Sequence, residues 1–130
     1  MRFMVLGKAT EETERGDLPT PEEFAAMEAF TAELLAAGVV VDGAGLKPSS
    51  AGKRVAFDEE GQSSVLDGPF AETKEIVAGY QIWEVSSLDE AIQWARRSPV
   101  RNGVVEIRPL YSAEDFAEVA DTGPSEATAP

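Results

Sequence analysis

Two residue types are absent from the sequence, and each absence excludes a class of chemistry. With no cysteine, the chain can form no disulfide, thiolate nucleophile or iron–sulfur ligand. With no histidine, a Ser-His-Asp triad is excluded, and a zinc site is disfavoured because zinc usually binds through imidazole or thiolate. We therefore predict no cofactor and no dedicated metal site, although carboxylates alone could hold Mg²⁺ or Ca²⁺ loosely.

Positive charge and long apolar runs are also scarce. The 11 Lys and Arg residues stand against 24 Asp and Glu residues, which gives a formal net charge of −13. Such a surface repels phosphate groups, so we expect binding neither to nucleic acid nor to anionic membranes. No apolar run approaches the ~18 residues of a membrane span. Met1–Leu6 is too short for a signal peptide because Gly7 and Lys8 interrupt it, and we expect a soluble cytoplasmic protein.

The apolar pattern predicts one domain over residues 1–117 and a disordered acidic tail over residues 118–130. The predicted elements are, in order, a strand at Arg2–Gly7, a charged loop at Glu11–Leu18, a helix from Thr20 to Gly38, a strand at Val39–Leu46, a hairpin of Arg54–Phe57 and Ser63–Leu66, a strand at Val77–Val85, a helix between Ser87 and Pro99, a strand at Val104–Arg108 and a short helix within Tyr111–Val119.

The first long helix has the clearest boundaries. Thr20 and Glu23 form a capping box around Pro21, and Gly38 is a typical helix end. Five apolar residues recur at helical spacing and are predicted to form its core face: Phe24, Met27, Phe30, Leu34 and Leu35. Gly43 and Gly45 in the next strand indicate a bulge or a close approach of another group to the backbone.

This order of elements predicts an α+β fold of the split βαβ type, with an antiparallel sheet. Two helices cover only one face of such a sheet. The strands nevertheless carry apolar residues on both faces, with Met4 and Leu6 opposite Phe3 and Val5. An apolar sheet face of that size needs a partner. We therefore predict a two-fold homodimer in which the sheets face each other.

The segment Asp67–Glu75 (DGPFAETKE) combines a sharp turn with several ionisable groups. Asp-Gly is a strong turn signal, and Pro69 prevents a central strand from continuing. One interpretation is a structural corner. The other is that this corner directs Asp67 and Glu72 into a cleft.

The same segment, followed by Ala78-Gly79-Tyr80, resembles the signature of the YCII-related family, also called DGPF-domain proteins. Further similar segments are Lys8–Thr10, Gly43–Ser50, Glu90–Ala95, Glu106–Arg108 and Ala113–Phe116, so the resemblance covers roughly residues 1–117. It implies a ferredoxin-like fold that pairs into a dimeric α/β barrel. It implies little about activity, although a few relatives are linked to lyase or isomerase-like chemistry and some carry a proposed His–Asp active site.

The chain departs from that family pattern at two ionisable positions. Ala44 stands where relatives often have Glu, and Lys47 stands where they often have His. A histidine-based mechanism is therefore excluded, and any catalysis must use Asp, Glu, Lys or Tyr.

Two functions follow as hypotheses. The first is an acid/base enzyme, lyase or isomerase-like, that acts on a small anionic or aromatic metabolite near the DGPF turn. Asp67 or Glu72, if buried beside an apolar wall, would act as the base, and Tyr80 would donate a proton or orient the substrate. Lys47, Lys74 or Arg108 would hold an anionic substrate. The second is a non-catalytic ligand-binding or regulatory module, for which Lys74 is a surface ion-pair residue and Tyr80 packs in the core.

Overall fold

The structure is a computed structural model that describes residues 1–120. The strands are β1 (Arg2–Lys8), β2 (Val40–Gly45), β3 (Lys53–Phe57), β4 (Ser63–Asp67), β5 (Val77–Glu84) and β6 (Val105–Pro109). The α-helices are α1 (Glu11–Arg15), α2 (Pro21–Ala36), α3 (Leu88–Ala95) and α4 (Ala117–Ala120). Single 3₁₀ turns lie at Ser49–Ala51, Thr73–Glu75 and Ala113–Phe116.

Four strands form one antiparallel sheet in the order β2-β5-β1-β6. Helix α2 connects β1 to the edge strand β2, and α3 connects β5 to the other edge strand β6. Each of these crossovers passes over a strand that lies between the two it joins, which is the split βαβ arrangement. The predicted ferredoxin-like α+β fold is therefore confirmed.

The hydrophobic core lies on the face of the sheet that α2 and α3 cover. Cross-strand register pairs Phe3 with Trp83, and both side chains are almost fully buried. The core cluster consists of Phe3, Val5, Phe30, Leu34, Val39, Trp83, Val85 and Ala91. Since side chains alternate along a strand, the neighbours of these residues point to the other face. That face carries Met4, Leu6, Tyr80 and Ile82, which are only half-buried and do not belong to the core cluster.

Helix α2 begins as predicted but buries fewer residues than predicted. Thr20 caps it through a reciprocal box with Glu23. Phe30 and Leu34 are buried, whereas the predicted core residues Phe24, Met27 and Leu35 are exposed to 55%, 39% and 62%. At about 100° per residue, Phe24 and Leu35 lie roughly 80–140° around the helix from Phe30 and Leu34. Met27 lies on the same side as Leu34 and is the least exposed of the three. The sheet therefore contacts a narrower face of the helix than predicted.

Two further predictions need correction. The segment Glu11–Leu18, predicted as a loop, contains helix α1, because Thr10 and Thr13 form a capping box and Gly16 ends the helix with a φ of 88°. Residues 118–120, predicted to begin a disordered tail, belong to helix α4. The rest of that predicted tail, residues 121–130, lies outside the described residues.

Strands β3 and β4 form a separate hairpin, close to the predicted one. Val55 pairs with Val65, and these residues and Phe57 are exposed. A two-stranded hairpin is only marginally stable in water, so this arm depends on its attachment to the rest of the chain. Within residues 1–120, no helix has the length and apolar character needed to cross a membrane.

Candidate functional site

The DGPF corner packs its backbone directly against the loop after β2. Gly68 donates a hydrogen bond to the Gly52 carbonyl at 3.0 Å. A Cβ atom on Gly68 would lie 1.7 Å from the Ser49 carbonyl oxygen, a distance at which no side chain fits. The glycine of the motif is therefore required by a close approach between two backbone segments. This contact favours the interpretation of the segment as a structural corner.

Ser49 connects this corner to the segment around α1. It is the only buried polar residue in the described part of the chain. Its amide donates a hydrogen bond to Glu14 at 2.9 Å, and its hydroxyl donates a second, very short one to the same carboxylate. The Phe70 amide in turn donates to the Ser49 hydroxyl at 3.1 Å. Ser49 and Glu14, which sequence reasoning did not single out, thus hold the DGPF segment in place.

The predicted acidic residues of this corner lie on its outer surface. Asp67 is the last residue of β4, and its carboxylate forms an ion pair with the Lys53 ammonium group at 2.5 Å. The Asp67 side chain is 74% exposed. Glu72 and Lys74 are exposed at the 3₁₀ turn that follows. The burial beside an apolar wall on which the catalytic hypothesis for Asp67 and Glu72 depends is therefore absent in the single chain.

The remaining predicted site residues are dispersed over the sheet. Lys47 is exposed beyond the end of β2. Arg108 lies on β6, is 69% exposed and contacts Glu106 at 3.2 Å. Tyr80 lies between Leu6 and Ala44 in the cross-strand register, which directs its side chain away from the helices. Among the described residues, no two of the six predicted site residues share a hydrogen bond or ion pair.

An open cavity of about 440 Å³ lies elsewhere, between the helix-facing side of the sheet, α2 and the segment after α3. Its lining consists of Val5, Gly7, Met27, Phe30, Gly43, Ala44, Gly45, Gly79, Tyr80, Gln81, Trp83, Ala95, Ser98, Val100 and Val105. Of the predicted site residues only Tyr80 contributes, and its register leaves the strand backbone, not the phenol, on the cavity side. No Asp, Glu, Lys or Arg is present in this lining.

The floor of the cavity is made by glycines on three adjacent strands. Gly7 pairs with Gly79 and Gly79 pairs with Gly45, so the three lie side by side across the sheet. They share the helix-facing side with Gln81 and Trp83 because residues two apart on a strand point the same way. A Cβ on Gly45 would meet no atom within 4 Å and would project into open space. A Cβ on Gly79 would lie 3.2 Å from the Ala44 carbonyl oxygen, so this glycine also allows the close approach of β2. No side chain from these three positions occupies the cavity.

Gln81 is the main polar side chain at this floor. Its Oε1 accepts a hydrogen bond from the buried Trp83 indole at 2.8 Å. Gly43 lies beside it, and a Cβ there would approach the Gln81 side chain to 2.8 Å. The glycines at 43 and 45, predicted from sequence to mark a bulge or a close approach, were thus the available signal for this site. Sequence alone did not show that Gly7 and Gly79 join them.

Among residues 1–120, the carboxyl groups of Glu84 and Glu90 have a shifted pKa, and neither lines the cavity. Hydrogen bonds from the Ser86 hydroxyl and amide lower the pKa of Glu90, with a weaker contribution from Trp94. Hydrogen bonds from the N-terminal ammonium and then from Arg2 lower the pKa of Glu84. These groups stabilise element ends and offer no proton donor to the cavity.

Two known proteins are similar to this chain, one in sequence and one in structure. An uncharacterised protein of Rhizobium meliloti (strain 1021) is 47% identical over 53 residues, which cover 38% of this chain and 43% of that protein. The chain thus spans less than half the length of this relative. The solved structure of 5-chloro-2-hydroxyhydroquinone dehydrochlorinase (TftG) from Burkholderia phenoliruptrix AC1100, in complex with 2,5-dihydroxybenzoquinone, matches with a TM-score of 0.44 and 16% identity over 88% of this chain and 99% of that chain.

The family model of the YCII-related domain matches residues 1–114, which include every strand of the sheet, the DGPF corner and the cavity. The chain therefore belongs to the YCII-related family.

Proposed function

We propose that this protein binds a small molecule of low polarity in the glycine-floored cavity. The main support for this proposal is the row formed by Gly7, Gly79 and Gly45. These glycines leave three adjacent strands without side chains at the same position of the sheet. Glycine in a strand interior weakens the strand, so three in register are a cost to stability. Binding of a ligand in the open cavity between the sheet and the helices would explain why the chain has glycines at these positions despite that cost.

The walls of the cavity support an apolar ligand. Phe30 and Trp83 are buried and pack edge to face with ring centroids 6.5 Å apart, and Val5 and Val105 add aliphatic surface. Ligand pockets typically occupy about 300–1,000 Å³ and combine such walls with a few polar groups. The cavity has the size of such a pocket, and Gln81 and Ser98 supply its polar groups.

A valine substitution at Gly45 tests this proposal. A Cβ at Gly45 would meet no atom within 4 Å, so we expect Gly45→Val to occupy part of the cavity without a backbone clash. Ala56→Val is the control, because it adds valine at an exposed strand position of the hairpin, outside the cavity lining. In a thermal-shift screen of small molecules, hits should stabilise the wild type and Ala56→Val but not Gly45→Val. Hits that stabilise all three proteins alike would place binding elsewhere.

Acid/base catalysis at the DGPF corner is a separate proposal, of a lyase- or isomerase-like kind. It is supported by the accessibility of Asp67 and by its position beside Lys53, which would let a carboxylate and an ammonium meet one substrate. Turnover of any metabolite identified by the screen should then be lost in Asp67→Asn and retained in Glu59→Gln, an exposed control on the neighbouring hairpin loop. Equal turnover in both variants would show that Asp67 does not take part in this reaction.

We also propose that two copies pair through the sheet face opposite the helices, as a dimeric α/β barrel. This face carries Met4, Leu6, Tyr80 and Ile82, which form a continuous apolar surface at its centre. On one side of this centre, Glu106 pairs within the chain with Lys8 at 3.5 Å and with Arg108 at 3.2 Å. Pairing within each chain reduces the repulsion between two acidic copies, and burial of the apolar centre then favours association.

Light scattering measures this pairing directly. The wild type should have the mass of two chains at micromolar concentration, and Ile82→Lys should have the mass of one, because two buried ammonium groups would oppose each other near the two-fold axis. Glu114→Lys serves as a control with a larger charge change at an exposed position of the last 3₁₀ turn. A wild type with the mass of one chain would contradict the proposal.

A further inference from the structure

We propose that the ligand of the cavity is a flat, uncharged aromatic molecule that presents a carbonyl-type oxygen to the side-chain amide of Gln81. This inference rests on the proposed function, since it names the ligand class of the same cavity. Three features of the cavity point to this ligand class: the orientation of Gln81, the absence of charged side chains and the shape of the floor.

The orientation of the Gln81 amide is fixed by its neighbour. The Trp83 indole nitrogen can only donate a hydrogen bond, so the atom of Gln81 that it contacts at 2.8 Å must be the oxygen. The Nε2 group, with its two N–H donors, therefore points away from Trp83. No described residue accepts a hydrogen bond from it. The cavity thus presents unused donors next to its glycine floor, and these select a ligand with a hydrogen-bond acceptor.

The indole that sets this orientation is packed in the core. Trp83 is only 2% exposed and packs against the edge of Phe30, so its indole has one position in the core. Gln81 in turn lies beside Gly43, where even a Cβ atom would be too close. A donor that is already ordered loses little entropy when a ligand binds, which favours its use in recognition.

The absence of charged side chains excludes ionic ligands. No Lys or Arg lines the cavity to pair with an anion, and the chain as a whole carries a net charge of −13. No Asp or Glu lines it to pair with a cation. Because moving an unpaired charge out of water into an apolar site is strongly unfavourable, a neutral ligand is favoured. Of the anionic and aromatic metabolites predicted from sequence, the cavity therefore favours the aromatic ones.

The shape of the site suits a planar ring. The floor is bare peptide backbone at Gly7, Gly79 and Gly45, so nothing projects from it to interrupt a flat surface. Phe30 and Met27 stand at the wall, and aromatic rings and thioethers both make favourable contacts with an aromatic ligand. A two-ring molecule could lie on the floor with one edge against Gln81.

Three naphthalene derivatives of matched shape test this inference by titration calorimetry. 2-Acetonaphthone carries a neutral acceptor, 2-ethylnaphthalene lacks it, and 2-naphthoate carries a negative charge. The ketone should bind roughly three- to tenfold more tightly than the hydrocarbon, the range that one net hydrogen bond provides. The carboxylate should bind at least about tenfold more weakly than the ketone, because its charge has no partner in the cavity.

Two variants of Gln81 then test whether the preference for the ketone over the hydrocarbon depends on the Gln81 amide. Gln81→Glu keeps an oxygen for the Trp83 indole but removes the N–H donors, and Gln81→Leu removes both. In each variant the ketone-to-hydrocarbon affinity ratio should fall to about one or below. Since both ligands are measured on the same protein, this ratio does not depend on a change in stability, and either variant alone suffices if the other fails to fold.

Three outcomes would overturn the inference. They are a wild-type ratio of one or less, a ratio that persists in the Gln81 variants, and a carboxylate that binds as tightly as the ketone. Failure of all three compounds to bind the wild type would also overturn it. The proposed function would still be judged separately, because Gly45→Val reports on any ligand of the cavity, whatever its chemistry.

Discussion

Replacement of Gly68 by alanine is the most direct test of what the DGPF segment does. The added Cβ would lie 1.7 Å from the Ser49 carbonyl oxygen, 2.6 Å from its carbonyl carbon and 3.2 Å from the Gly52 carbonyl oxygen. Carbon and oxygen atoms in contact need roughly 3.3 Å or more. Because the opposing atoms are backbone and not a flexible side chain, the two segments themselves must separate.

The cost has two parts. Overpacking at a well-packed site costs about 1–3 kcal/mol. Separation of the two segments also breaks the 3.0 Å hydrogen bond from the Gly68 amide to the Gly52 carbonyl, which contributes about 1 kcal/mol. Together these give an expected loss of about 3 kcal/mol in the free energy of unfolding. A domain of this size has only about 5–15 kcal/mol in total, so the loss is large.

Urea denaturation monitored by tryptophan fluorescence measures this loss, since Trp83 lies in the core. Gly45→Ala is the matched control, because a Cβ there meets no atom within 4 Å and the change removes flexibility from the unfolded chain. It should leave stability unchanged or raise it by up to about 1 kcal/mol. If Gly68→Ala unfolds within about 0.5 kcal/mol of the wild type, the close approach to Ser49 does not hold the corner, and the structural interpretation of the motif is refuted.

Three further predictions concern side chains. Ser49→Ala should destabilise the chain by about 1–3 kcal/mol in the same urea assay, because it removes the hydroxyl that joins Phe70 to Glu14; an unchanged midpoint would contradict that role. Since the folded pKa of Glu90 lies below its ordinary value of 4.5, its contribution to stability is present above that value and is lost as the pH falls through the lowered pKa. Glu90→Gln should therefore flatten the acid limb of the stability–pH curve, and a curve parallel to that of the wild type would argue against it. Gln81→Leu should move the Trp83 indole N–H proton signal upfield in NMR spectra, because the 2.8 Å hydrogen bond that deshields this proton is lost, and an unmoved signal would mean that this bond does not form in solution.

Local signals in the sequence were sufficient where an element is defined by its own residues. The α2 start follows from Thr20 and Glu23, whose side chains and backbone satisfy each other without help from the fold. The β3–β4 hairpin follows from the turn residues Asp58–Gly61 between two short segments that each contain a valine. Helix α1 was missed because its capping box uses Thr13 in place of the usual Glu or Gln, and because it is only five residues long.

Tertiary packing decided which apolar residues are buried. Phe24, Phe30 and Leu35 look equivalent along α2, yet only Phe30 contacts the sheet, because a straight helix on a sheet buries a narrow line of side chains. The spacing of apolar residues indicates a helical face but not its width. Similarly, Asp67 and Glu72 belong to one dense motif, and only the packing of Gly68 against Ser49 shows that both project outward.

By itself, the sequence determined the order of the elements, the split βαβ fold and the exclusion of histidine and cysteine chemistry, because each of these depends on residues close together in the chain or on simple absence. The cavity was decided by the tertiary structure, and Gly43 and Gly45 were its only signal in the sequence. Its floor joins Gly7, Gly45 and Gly79, which are far apart in sequence and come together only through strand register. Register is set by pairing between strands, and no local pattern within one strand encodes it.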